Sequence, residues 1–122
     1  MPRYLVASYL PDDFDPSSVT EKDAAAIHAL NAEMEAAGAL KFACGVSPAA
    51  RAKTLRKQGG KVVVTDGPYT ETKEHIAGFL MLDAANMDEA LAWVRKGAGI
   101  FAGPVEVREL YFVPDPQEAT ER

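Results

Sequence analysis

The chain is poor in the residue types on which several functions depend. It has one cysteine, Cys44, so no internal disulfide can form and a cysteine-rich metal site is excluded. Cys44 lies between Ala43 and Gly45 in an apolar stretch with no histidine beside it, the setting of a small buried hydrophobe rather than an activated thiol. There are only two histidines, His28 and His75. A zinc centre needs three or four converging ligands, and no spacing of that kind is present, so neither a metal nor a cofactor is expected. The pair Gly59-Gly60 precedes no helical pattern, which removes the phosphate-cradle interpretation.

Positive charge is also in deficit. Thirteen Lys and Arg stand against 18 Asp and Glu, a formal net charge of −5. Binding to a polyanion depends on a surplus of cations, so no nucleic-acid partner is expected. The stretch Arg51 to Lys57 alternates its cations with small or apolar residues, the pattern of an exposed strand face. No run approaches the roughly 18 apolar residues of a membrane span. Met1-Pro2-Arg3-Tyr4 passes straight into strand-like sequence without the apolar core of a signal peptide, so a cytoplasmic protein without a membrane partner is expected.

What is present reads as one domain of 122 residues, with the fold over residues 1–113 and a frayed tail over 114–122. Tyr4 to Leu10, rich in aromatic and branched residues and closed by Pro11, predicts a first strand. Ser18 with Glu21 gives a capping-box pattern, followed by a helix whose stripe is Ile27, Leu30, Met34 and Ala37. Gly38 ends it as a left-handed cap. Leu40 to Val46 is a second extended segment. Ala52 to Lys57 and Lys61 to Thr65, joined through Gly59-Gly60, predict a hairpin.

Ile76 to Leu82 is apolar on both alternating faces, so both faces should be covered. Asn86 and Glu89 start a second helix with the stripe Met87, Leu91, Val94 and Ala98, and Val105 to Phe112 is the last strand. This order predicts an α+β fold: a ferredoxin-like βαββαβ core with an extra hairpin, both helices on one face of an antiparallel sheet. The bare face would be buried against a second copy, giving a homodimer.

Between hairpin and strand lies the most unusual segment, Val64-Thr65-Asp66-Gly67-Pro68-Tyr69-Thr70-Glu71-Thr72-Lys73-Glu74. It closely resembles the signature of DGPF-domain proteins of the YCII-related family, with Tyr69 where the usual form has Phe. The helix ending at Gly38, Ala77-Gly78-Phe79, Asp88-Glu89-Ala90-Leu91 and Val105-Glu106-Val107-Arg108 are similar to the family as well. The resemblance implies a dimeric α+β barrel and a mostly uncharacterised function. It also implies a His–Asp pair at the site of YCII-type relatives, to which neither His28 nor His75 is assigned. Some relatives accompany alternative sigma factors, which implies a noncatalytic regulatory module as the alternative to an enzyme.

Candidate chemistry centres on the same segment. Asp66 admits two roles: a turn aspartate beside Gly67 and Pro68, or a general base at the edge of a cleft. Glu71 and Lys73 share a side of an extended chain and either form a solvated loop or line a polar cleft, with Lys73 holding an anionic ligand or pairing with Asp66. Tyr69, a candidate ligand contact, and Tyr4 and Tyr9 each place a hydroxyl in a cavity between helices and sheet or pack in the core or at an interface. His75 either faces the cleft and assists Asp66 or caps the exposed end of the strand. His28 reads as solvated and Trp93 as helix packing. A small polar molecule, handled by cofactor-independent proton transfer or isomerisation, is the expected ligand class.

Overall fold

The computed structural model describes residues 1–97 and 99–111. Ala98 of the expected second stripe, Phe112 of the expected last strand and the expected tail lie outside the described residues. The described residues form six strands and two α-helices in the order β1 (Arg3–Pro11), α1 (Glu21–Ala36), β2 (Leu40–Gly45), β3 (Lys53–Gln58), β4 (Lys61–Asp66), β5 (Glu74–Asp83), α2 (Met87–Lys96) and β6 (Val105–Glu109). Four of them form one sheet in the order β2-β5-β1-β6, and every neighbouring pair is antiparallel. This is the ferredoxin-like arrangement. The sheet is open in the single chain, not a closed barrel.

One face of the sheet makes the core. Val6 and Leu82 meet Leu30 and Met34 of α1, with Trp93 and Val94 of α2 packed against the same cluster. Leu82 is fully buried and Met34 nearly so. Burying side chains of this size is worth about 1.5–3 kcal/mol each. A second cluster joins Tyr4, Ala84 and Ala90, where the small Ala90 lets α2 approach β1 closely. The buried stripe of α2 therefore runs through Ala90 and Val94, and Met87, at the first helical position, is 37% exposed.

Among the described residues no element packs on the other face. Antiparallel register places Leu5, Phe42, Phe79 and Met81 there, with the rings of Phe42 and Phe79 5.9 Å apart. β5 is thus apolar both on the face that packs against the helices and on the face that nothing among the described residues covers.

The helix termini follow their capping chemistry, with one correction. Thr20, not Ser18, caps α1: its hydroxyl accepts from the Asp23 amide at 3.1 Å. Ser18 lies in a separate single 3-10 turn over Pro16–Ser18, which Pro16 pre-shapes and Asp15 caps. Gly38 has φ 75°, the left-handed value a C-terminal cap requires. At α2 the Asn86 side chain accepts from the Glu89 amide at 2.9 Å, while the Glu89 carboxylate accepts from Ala85 N–H at 3.0 Å.

β3 and β4 form a separate two-stranded arm and, among the described residues, pair only with each other. Gly59 and Gly60 both have positive φ, as a two-residue hairpin turn demands.

Candidate functional site

The site is built where β1 ends and β5 begins. The antiparallel register pairs Leu10 with His75 and Pro11 with Glu74, after a one-residue slip between Ser8 and Tyr9. Asp12 lies just beyond Pro11, and its amide donates to the Lys73 carbonyl at 2.8 Å. Residues two apart on a strand share a side, so Asp12 sits diagonal to His75. Its carboxylate oxygen Oδ1 lies 2.6 Å from His75 Nδ1.

The other ring nitrogen is engaged as well. His75 Nε2 lies 3.0 Å from the Thr70 carbonyl oxygen. A carboxylate and a carbonyl both accept, so the ring that satisfies both is the doubly protonated imidazolium, donating from Nδ1–H and Nε2–H. The Thr70 carbonyl, the Asp12 hydrogen bond and the Asp12 charge accordingly raise the His75 pKa above its ordinary 6.5, against a smaller opposing effect of desolvation. His75 is thus held by the motif on one side and by a carboxylate on the other, an arrangement that favours its charged form.

Beside this pair lies a cavity of about 540 Å³, bordered by Asp12, His75, Ser47 and Pro68, with apolar walls that include Phe14, Val46 and Pro48. Such a volume suits a small molecule, and a few polar groups among apolar walls are the usual composition of a ligand pocket. A smaller space of about 300 Å³ between α1 and the sheet is bordered by Ser8, Asn31 and Phe101 and, among the described residues, is lined by no carboxylate or histidine. Among the described residues, no group of three or more His, Cys, Asp or Glu side chains could hold a metal ion. No helix among them is long and apolar enough to cross a membrane.

The sequence candidates are distributed unevenly around this centre. His75 is in it. Asp66 is not: it ends β4 at the foot of the arm, pairs with the Lys53 ammonium, and its side chain is 85% exposed. The turn chemistry falls to Gly67, whose φ is 100°, whose amide donates to Ala52 O at 2.7 Å, and whose carbonyl accepts from Thr54 Oγ1 at 2.8 Å. Tyr69 is exposed and lies under the Arg56 guanidinium, 4.9 Å from its ring centroid. Glu71 and Lys73 are exposed, and Lys73 serves the site through its backbone carbonyl. Tyr4 is buried in the core, Cys44 is half-buried within β2, and His28 is exposed on α1. Asp12 is the residue that sequence reasoning missed. Its signal was positional: once β1 and β5 are antiparallel, the residue after Pro11 falls beside His75.

The sequence model of the YCII-related domain matches residues 3–113. The chain belongs to the YCII-related family. A second comparison agrees: an uncharacterised protein of Rhizobium meliloti (strain 1021) is 35% identical over 112 residues, covering 88% of this chain and 90% of the relative. In this YCII-related protein the signature segment therefore spans two environments. Asp66 and Gly67 close the arm, whereas Thr70 grips the histidine that faces the cavity.

Proposed function

We propose that this YCII-related protein binds a small molecule with a polar, anionic head in the cavity beside His75, and that the His75–Asp12 pair handles a proton there. The observation that carries this reading is the 2.6 Å contact between His75 Nδ1 and Asp12 beside an apolar-walled cavity of about 540 Å³. Asp12 fixes the ring orientation and holds Nδ1 protonated, which leaves Nε2 as the working nitrogen. In the resting arrangement Nε2–H donates to Thr70. An incoming carboxylate or enolate oxygen replaces that carbonyl as acceptor, and the imidazolium either neutralises it or passes it the proton. Proton transfer or isomerisation without a cofactor is the chemistry this pair supports.

The functional unit in this reading is a homodimer. Leu5, Phe42, Phe79 and Met81 leave an apolar patch on the uncovered sheet face, and pairing with a second copy removes it from water.

Thermal-shift measurements with a panel of small carboxylic and keto acids test the site. A stabilising ligand should lose its effect in H75Q and D12N and keep it in D66N. Loss in D66N with retention in H75Q would place the site elsewhere.

A further inference from the structure

We propose that the β3–β4 arm is a clasp whose apolar face packs on a second copy of this chain. The inference rests on the pairing of copies proposed above. Cross-strand register sets Leu55 opposite Val64 and Lys57 opposite Val62, which gathers Leu55, Val62 and Val64 on one face of the ribbon, flanked there by Lys57 and by the Lys53–Asp66 pair. These three are 63%, 66% and 58% exposed in the single chain. A two-stranded ribbon is marginally stable by itself, and an exposed apolar one invites a partner.

Charge selects the partner. Residues 53–66 carry Lys53, Arg56, Lys57 and Lys61 against Asp66 alone. That is +3 on a chain whose formal net charge is −5, which leaves −8 on the remainder. A basic arm with an apolar face complements the acidic body of another copy and is repelled by another arm. Under a two-fold axis each arm reaches its partner reciprocally, so each substitution acts twice.

The test is the dimer dissociation constant of the full chain by sedimentation equilibrium, with far-UV circular dichroism confirming the fold. The wild type should dimerise at micromolar concentration and weaken as salt rises. L55E/V64E should dissociate at least about a hundredfold more readily, and K57E/K61E about tenfold. L55T/V64T, which keeps strand-forming residues, should weaken the dimer about tenfold if the glutamate pair disturbs the arm itself. An unchanged constant in both L55E/V64E and L55T/V64T overturns the clasp. If F42E on the sheet face separates the copies while the arm variants do not, pairing stands and the clasp falls. A wild type that is monomeric at every concentration overturns both.

Discussion

Gly78 provides a quantitative test of the packing that positions the site. It is buried in the middle of β5, where β2 crosses close by. A Cβ at this position would lie 2.8 Å from the Cys44 carbonyl oxygen and 3.5 Å from Gly45 Cα. Both are backbone atoms, so no side chain can rotate away, and β2 must move. Overpacking of this kind costs about 1–3 kcal/mol. Replacing glycine by alanine within a regular element returns about 0.5–1 kcal/mol. The balance for G78A is a loss of up to about 2.5 kcal/mol, a fall in Tm of up to roughly 10 °C for a domain of this size. Gly45 is the internal control, since its added Cβ would meet only the Ala77 carbonyl, at 4.0 Å. G45A should leave Tm unchanged or slightly higher. Denaturant unfolding and thermal melts of the two variants check this. Equal stabilities, or a G78A more stable than G45A, would refute the β2–β5 register.

Four further outcomes are expected. L82A removes a fully buried core side chain and should cost about 2–5 kcal/mol by chemical denaturation. T20A removes the hydroxyl that accepts the Asp23 amide and should cost about 1 kcal/mol, whereas S18A should be near neutral. K53A should change stability by less than about 1 kcal/mol, because the Lys53–Asp66 pair is exposed. The His75 contacts predict a pH dependence in the Thr70 turn. A pKa raised in the folded state gives stabilisation that is complete below the unfolded value of about 6.5 and is lost as pH rises through the folded value. Amide exchange at Glu71 and Thr72, corrected for intrinsic rates, should accelerate across that window in the wild type and stay uniformly fast in H75Q.

The fold was largely legible because its signals are local. Helix stripes, the Gly38 cap, the glycine pair of the hairpin and the doubly apolar β5 each follow from a short run of residues. The cap of α1 was misplaced for the same reason: Ser18 and Thr20 both precede acidic residues at spacings that suit a cap. Only the Pro16 turn, which claims Ser18, decides between them. The site was less legible because it is non-local. Asp12 and His75 are 63 positions apart and meet only through the β1–β5 register. Asp66 drew attention through its motif, yet β4 carries it to the arm, where it meets Lys53 across the ribbon. Glu71 and Lys73 share an exposed loop, and their side chains reach no ion-pair partner among the described residues.

In the function proposed above, His75 and Asp12 form the polar centre and Asp66 does not. Long-range ¹H–¹⁵N NMR of labelled protein across pH tests it by reporting both ring nitrogens of His75. The wild type should show an imidazolium that persists above the ordinary histidine pKa of about 6.5, with Nδ1 still protonated after the first proton leaves. D12N should lower that pKa and release the tautomer, and D66N should change neither. A His75 that titrates at its ordinary value, or that responds to D66N and not to D12N, would contradict that assignment.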